Sequence, residues 1–426
     1  MERITLGPQI HMSCRPADKL NRCRISIHFT CPARRETATA AALLPLLLER
    51  GYEDCPDMTA LTKRLASLYG ADLSAWGYPY GANHDICVSV TGIKERYAQE
   101  GEKLSEEYAR LVLGAAFRPY LVNGVFDPES VEIEKTMLRQ SLEDELDDKK
   151  LYCGRQASRE FYGDSPASVR QEGYLEEVDG ITPEALTEEY HRMLRESSIE
   201  LMLIGFDSRE AAAVRAAFEA ETARIARDPV PPAAFFAMPR QKCVHKSEHF
   251  DMVQSKLCMK FTVGRPARPS HLASYRMAVG LFGGTATSRL FVNVREKMNL
   301  CYYCSPAFSM STGCLTVDSG VEPCNAERAE KAILHELAQL CGGPITDEEM
   351  EDCRRGMISA LDAVEDSLGG IETWYYSEIL RGGILNTPQQ FREELMAVTK
   401  DDVRAVLNSL SLSVSYLLCG NEEEKN

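Results

Sequence analysis

The sequence predicts an α+β fold of two similar domains, each a mainly antiparallel sheet covered by helices. Three observations lead to this prediction. The chain has 426 residues, which is more than one hydrophobic core usually organises. A proline-rich stretch divides it near the middle. Strand-like and helix-like segments come in blocks rather than in strict alternation, which favours helices packed on an antiparallel sheet.

The same succession of elements is predicted in both halves. Each half begins with the strand-like alternation of apolar and polar residues, in "RCRISIHFTC" and in "SKLCMKFTV". Amphipathic helices follow, such as "SVEIEKTMLRQSLEDEL" and "AERAEKAILHELAQL". Each half then ends with a capped helix and a strand: Thr182 precedes the strand 199–205, and Thr399 precedes the strand 412–420. This repeat predicts two homologous domains.

The domain boundary is predicted in "DPVPPAAFFAMPR", residues 228–240. Four prolines in this segment exclude a regular helix or a central strand. We therefore expect an N-terminal domain of residues 1–227, a linker of residues 228–240 and a C-terminal domain of residues 241–426.

Composition excludes several classes of function. A formal net charge of -16 repels a phosphate backbone, so we expect no nucleic-acid partner. The longest apolar stretch, "ATAAALLPLLLE", is shorter than the roughly 20 residues of a membrane span, so no membrane partner is expected either. The amino terminus lacks the pattern of a secretory signal, and the 15 cysteines are not arranged as a disulfide framework. A cytoplasmic location is the expectation.

One short stretch, "VHKSEHF", contains the zinc-peptidase spacing H-x-x-E-H in His245, Glu248 and His249. Such a site requires a helix, in which side chains four residues apart lie about 6 Å from each other. The apolar residues that follow alternate as in a strand, where the two histidines would be roughly 13 Å apart. A zinc ion with bonds of about 2 Å cannot join them. The spacing is therefore attributed to chance, and an independently active zinc enzyme using these histidines is the remotest hypothesis.

The stretch "LFGGTATSRLFVNVREKMNLCYYCSPAF", residues 281–308, resembles the second-domain signature of the M16 (insulinase or pitrilysin-like) metallopeptidase family. Further segments resemble the family's helices, among them "FDPESVEIEKTMLRQSLEDELDD" and "AERAEKAILHELAQLCGGPITDEEMEDCRRGM". The likeness covers nearly the whole chain. It implies two homologous M16-like domains, and it extends to a bacterial subgroup associated with modification of elongation factor P.

The zinc site of that family is missing here. The family carries H-x-x-E-H on a first-domain helix that matches "AALLPLLLERG", and with Gly51 as anchor its three positions hold Ala42, Pro45 and Leu46. No histidine occurs between residues 28 and 84, so a different alignment would not restore the site. The third zinc ligand of the family matches Glu132, which cannot hold zinc alone and is interpreted as a helix-surface charge.

The second-domain signature is better preserved. Active M16 enzymes use an arginine and a tyrosine to bind the substrate backbone and to stabilise the tetrahedral intermediate, and Arg295 and Tyr302 match that pair. Asn299 is expected to adopt a left-handed turn between them. Apolar residues at helical spacing should form a stripe that leaves Arg295 at its edge: Leu290, Phe291, Val294 and Met298.

The resemblance therefore implies a non-catalytic subunit. It would pair with a zinc-bearing M16 homologue, or associate with itself, and would offer Arg295 and Tyr302 to a peptide substrate. No cofactor is expected in this chain, and zinc is expected only in the partner. The edge strand predicted in "DLSAWGYPY" could bind a peptide by strand addition. The alternative hypothesis is a peptidase-derived scaffold or binding protein with no proteolytic role, like the M16-derived core subunits of respiratory complexes.

Overall fold

The fold was analysed in a computed structural model, which describes residues 1–99, 101–145, 147–263, 272–382 and 385–421. Within these ranges, no helix combines the length and the apolar character that crossing a bilayer requires. The strands are β1 (Glu2–Gly7), β2 (Ile10–Arg15), β3 (Arg22–Pro32), β4 (Asp72–Tyr80), β5 (Asn83–Ile93), β6 (Leu121–Val122), β7 (Val125–Phe126), β8 (Ser198–Ile204), β9 (Val244–His249), β10 (Ser255–Thr262), β11 (Cys301–Ser309), β12 (Cys314–Val321) and β13 (Ser411–Cys419).

Helices fill most of the chain between these strands. The α-helices are α1 (Ala38–Leu48), α2 (Met58–Ser67), α3 (Leu104–Phe117), α4 (Pro128–Asp144), α5 (Lys149–Tyr162), α6 (Pro183–Glu196), α7 (Ser208–Thr222), α8 (Leu272–Val279), α9 (Ala326–Gly342), α10 (Asp347–Asp362), α11 (Leu368–Leu380), α12 (Pro388–Ala397) and α13 (Lys400–Leu407). Two segments are π-helical, Gly280–Gly284 and Leu290–Lys297. Short 3₁₀ segments occur at Arg35–Thr37, Glu95–Tyr97, Pro166–Ser168, Leu175–Gly180, Pro323–Asn325 and Val364–Asp366.

Two sheets of the same topology confirm the predicted α+β fold. In the described residues, one sheet has the strand order β1-β2-β8-β3-β5-β4 and the other has the order β11-β12-β10-β13-β9. Leaving β1 aside, each sheet places its five strands in the order first, fifth, second, fourth, third along the chain. The first and fifth strands pair in parallel in both sheets, and the other neighbours are antiparallel. This agreement is the structural counterpart of the repeat in the sequence.

The chain packs into two compact units that exchange short segments. The first unit consists of Met1–Asp144, Val169–Ala234 and Glu365–Tyr376. The second consists of Glu145–Ser168, Phe235–Val364 and the chain from Ser377 onward. Each unit thus includes a segment from the opposite half of the sequence. The predicted division into two homologous domains at residues 228–240 follows the repeat in the sequence, whereas the compact units follow contacts in the structure. The predicted domain bounds therefore stay a prediction.

The predicted cap residues have the geometry that helix starts require. Thr182 has extended backbone angles, and its hydroxyl accepts a hydrogen bond from Ala185 N at the start of α6. Thr399 accepts from Asp402 N at the start of α13, and the Asp402 carboxylate accepts from Thr399 N in return. Both helices lead directly into the strands predicted to follow them, β8 and β13.

Strand alternation determines what each face of the first sheet contacts. On β3, Ile25, Ile27 and Phe29 are fully buried, and they belong to a hydrophobic core that also contains Leu43 and Leu47 of α1. The intervening residues of β3 point to the opposite face, and they are polar: Arg24, Ser26, His28 and Thr30. The first sheet therefore has one apolar face, covered by α1 and its neighbours, and one polar face.

Candidate functional site

The helix that matches the family's zinc helix, α1, carries no metal-ligating side chain at the three expected positions. Pro45 is buried within the helix, and Ala42 and Leu46 are half-buried against the hydrophobic core of the first unit. The helix continues past Pro45, whose carbonyl accepts a hydrogen bond from Glu49 N at 3.2 Å. These three side chains offer packing surface, and they cannot bind or activate a water molecule through a metal.

The position of the third family ligand is a surface charge in this structure. The Glu132 side chain is 68% exposed, and its carboxylate pairs with Lys135 Nζ at 2.8 Å. The α4 helix that carries it packs against α1, so the two helices are neighbours as the resemblance requires. An ion pair between Arg50 and Glu134, at 2.6 Å, adds a polar contact to these neighbouring helices.

Arg295 and Tyr302 lie on consecutive elements of the second unit, joined by the turn at Asn299. Asn299 has a φ of 49°, which confirms the left-handed turn predicted there. The Arg295 side chain is 40% exposed, with its guanidinium over the Phe291 ring and 3.5 Å from Glu296. Tyr302 is 57% exposed on β11, the edge strand of its sheet.

The local backbone around this pair differs from the regular helix predicted. Residues Leu290–Lys297 form a π-helix, with a hydrogen bond from Met298 N to Asn293 O at 2.9 Å. Leu290 and Val294 are buried as expected, but Met298 is 45% exposed. The predicted apolar stripe was wrong at Met298, because the wider π-helical turn rotates later residues away from the core. A bulge between Cys301 and Tyr303 then removes Tyr302 from the ladder with β12.

The H-x-x-E-H sequence lies on strand β9, as the alternation of apolar residues predicted. Its glutamate has a structural role in the second unit, since Glu248 accepts hydrogen bonds from the hydroxyls of Tyr152 and Tyr416. His245 contacts a different carboxylate, with 3.2 Å between its Nε2 and Oε1 of Glu330. Because β9 pairs along its length with β13, His245 and His249 are held at the spacing of an extended strand.

The structure reveals a buried polar cluster that the sequence analysis did not predict. It lies on the polar face of the first sheet and centres on His28 of β3 and Asp85 of β5. Asp85 is fully buried and accepts three hydrogen bonds, from Thr30 Oγ1 at 2.6 Å, from Tyr376 OH at 2.5 Å and from His28 Nδ1 at 2.9 Å. The Tyr376 ring also stacks on the imidazole, with 3.7 Å between ring centroids.

The other nitrogen of the imidazole faces two further buried groups. His28 Nε2 lies 3.3 Å from Glu372 Oε1 and 3.7 Å from Cys87 Sγ. The second carboxylate oxygen of Glu372 pairs with Arg24 Nε at 3.1 Å. Glu372 and Tyr376 belong to the segment of α11 that packs with the first unit, so this cluster connects that segment to the sheet.

Electrostatics within the cluster favour a network of ion pairs. Burial by itself lowers the pKa of His28, but Cys87 and Asp85 outweigh burial and hold that pKa well above its usual value. Burial likewise raises the pKa of Asp85 and Glu372, yet His28 beside both, with Arg24 beside Glu372, brings each pKa below its usual range. Burial raises the pKa of the Cys87 thiol to about 11.

Comparison with known proteins finds similarity to one peptidase family. Residues 180–357 match the family model described as the peptidase M16 inactive domain. A relative from Bacillus subtilis (strain 168), the probable inactive metalloprotease YmfF, is 26% identical over 408 residues, which are 95% of this chain and 94% of that protein.

Solved structures share the fold across the whole chain. A conserved protein from Enterococcus faecalis V583 matches with a TM-score of 0.90 at 24% identity, over 100% of this chain and 99% of that one. The peptidase M16 inactive domain from Pseudomonas fluorescens has a TM-score of 0.78 at 17% identity, over 98% and 97% of the two chains. A protease from Helicobacter pylori has a TM-score of 0.80 at 13% identity, over 98% of both. Together with the family model and the relative from Bacillus subtilis, these matches show that this chain resembles proteins described as inactive members of the peptidase M16 family, over nearly its whole length.

Proposed function

We propose that this chain is a non-catalytic subunit that pairs with a zinc-bearing M16 homologue to form a chamber that degrades or processes peptides. The observation that supports this most is an asymmetry between its two halves. The α1 helix has no zinc-ligating atom, whereas Arg295 and Tyr302 retain exposed hydrogen-bond donors on the second unit. Zinc and its activated water would come from the partner.

In the proposed complex, Arg295 and Tyr302 bind the peptide that the partner hydrolyses. Both side chains donate hydrogen bonds, and a guanidinium beside a peptide carbonyl stabilises the negative charge that develops on its oxygen during hydrolysis. The local backbone supports this role. Arg295 lies in a π-helix, and the bulge in β11 takes Tyr302 out of the hydrogen-bonded ladder with β12. The link to elongation factor P stays a prediction.

A peptide can bind to this chain through its sheet edges. Strand β4 lies at the edge of the first sheet, the position at which a peptide can add as a further strand, although Ala75 N of this strand already donates a hydrogen bond to the Glu49 carboxylate. Its half-buried Trp76 carries the Arg24 guanidinium over its ring and supplies aromatic surface beside that edge. Peptide binding by strand addition depends on backbone geometry and therefore needs no zinc in the same chain.

Pairing is tested by co-expressing this chain with a tagged zinc-bearing M16 homologue from the same organism and measuring the mass of the purified complex by light scattering. We expect the two chains to elute together in equal amounts. A partner variant lacking one zinc-ligating histidine is the control, and it should bind equally well because the contact surface requires no metal. Failure to co-purify would contradict the pairing and favour a scaffold, while a complex of this chain with itself would indicate self-association.

A further inference from the structure

We propose that His28, Cys87 and Glu372 form a structural zinc site in the first unit. Each residue offers one ligand atom, and these atoms lie within 4.8 Å of one another. All three side chains are buried, with at most 5% of any residue exposed. Imidazole, thiolate and carboxylate are the three side-chain groups that proteins use to bind zinc. This inference departs from the expectation that zinc resides in a partner alone, and it does not depend on the proposed pairing.

The distances agree with coordination of one ion. With zinc bonds of about 2.0–2.1 Å to nitrogen and oxygen and about 2.3 Å to sulfur, tetrahedral ligands lie about 3.3 Å apart for N and O and about 3.6 Å apart for N and S. The distance from His28 Nε2 to Glu372 Oε1 is 3.3 Å, and the distance from His28 Nε2 to Cys87 Sγ is 3.7 Å. The third pair, Cys87 Sγ and the Glu372 ligand oxygen, lies within 4.8 Å, so a change of side-chain torsion would bring these two atoms closer on binding.

The surrounding residues orient the ligands as zinc proteins require. The Asp85 carboxylate accepts a hydrogen bond from Nδ1 of His28, which leaves Nε2 facing the proposed ion. Histidines that bind zinc usually have such a carboxylate on their other ring nitrogen. Thr30 and Tyr376 fix Asp85 in turn. Arg24 holds the Glu372 oxygen that the ion would not use. Each ligand is thus positioned before the metal arrives.

The charges of the cluster balance when zinc is bound. The two positive charges of the ion are offset by the Cys87 thiolate and the Glu372 carboxylate, and the charges of Asp85 and of Arg24, which pairs with Glu372, cancel in the total. On binding, zinc takes the place of the thiol proton of Cys87 and of the proton on His28 Nε2, and both protons pass to solvent. One coordination position has no protein ligand, and a water molecule would fill it.

The proposed site is separate from the family's peptidase site. Its ligands lie on the polar face of the sheet, on β3, β5 and α11, whereas α1 packs on the apolar face. Its burial gives a peptide no access, so the role is structural. Cys87 and His28 are 59 residues apart, and His28 and Glu372 are 344 apart, so the ion would hold a distant segment of the chain against the sheet.

The site is tested by measuring zinc in the untagged full chain after expression with added zinc and dialysis. We expect about one zinc ion per chain in the native protein, and loss of that zinc in Cys87→Ala. Cys31→Ala is the matched control, since Cys31 is a buried cysteine on the other face of β3, and it should keep its zinc. Chelator should lower the Tm of the native protein and of Cys31→Ala, but not of Cys87→Ala.

A second probe reports the ligands directly. Cobalt(II) in this site should give the near-ultraviolet absorption of a bond between thiolate and cobalt, and Cys87→Ala should abolish it. Should Cys87→Ala fail to fold, Glu372→Gln preserves shape while weakening the ligand, and it should reduce zinc affinity at least tenfold. The inference is overturned if the native chain takes up no zinc on titration, or if the zinc persists unchanged in both variants.

Discussion

Replacement of Arg295 by alanine should lower kcat/KM for peptide hydrolysis by the reconstituted pair by about 10²- to 10³-fold, the usual effect of losing one donor to a developing oxyanion. The loss should fall mainly on kcat, because the charge being stabilised exists in the transition state. The side chain is 40% exposed and has only surface contacts, so the Tm of the variant should be close to that of the native chain.

Two control substitutions make this prediction specific. Arg355 is an arginine of the same unit, with a side chain 72% exposed and an ion pair within its own helix, and Arg355→Ala should leave the rate unchanged. Tyr302→Phe should reduce the rate because it removes the exposed hydroxyl, while Tyr303→Phe should not. Equal rates for the native pair and the Arg295→Ala pair would contradict the proposed role, and would favour a scaffold.

Replacement of Asp85 by alanine should lower the free energy of unfolding of the first unit by about 3–5 kcal/mol, the usual cost of removing one partner from a buried ion pair. Three donors lose their acceptor at once, those of His28, Thr30 and Tyr376. The imidazole then keeps its charge only through Glu372, or becomes neutral and leaves a buried polar group poorly satisfied. Urea denaturation in the presence of chelator measures this change in the free energy of unfolding without a contribution from bound metal.

Asp72→Ala provides the matched comparison. Asp72 lies on β4 of the same sheet, but it is exposed, and its carboxylate accepts a hydrogen bond from the nearby Ser74 hydroxyl. Its removal should change the free energy of unfolding by less than about 0.5 kcal/mol, as surface substitutions usually do. If Asp85→Ala were as mild as Asp72→Ala, the buried cluster could not be what holds α11 to the first sheet.

Local signals in the sequence predicted a large part of the fold. Caps at Thr182 and Thr399, the left-handed turn at Asn299 and the strand at β9 depend on a few neighbouring residues, and the structure has each of them. The repeated topology was predictable for the same reason, because each half contains its own succession of strands, helices and final capped helix. The π-helix was not predictable, since its apolar spacing differs little from that of an α-helix.

The buried cluster depends on contacts that no local pattern contains. His28, Cys87 and Glu372 come from three distant parts of the chain, and no short motif contains any two of them. One signal was present, the alternation of polar residues with buried apolar residues in "RISIHFT". A strand in a covered sheet with polar residues on one face needs a polar partner on that face. The identity of that partner, a segment more than 300 residues later, could come only from the structure.

Peptide hydrolysis by the isolated chain, by the zinc-bearing homologue and by their equimolar mixture tests the central claim most directly. With a fluorogenic peptide and added zinc, we predict no hydrolysis by this chain alone, because α1 lacks every ligand of the peptidase site. The mixture should be faster than the homologue alone, and chelator should abolish its activity. Zinc-dependent hydrolysis by the isolated chain would contradict the account, as would a mixture no faster than the homologue by itself.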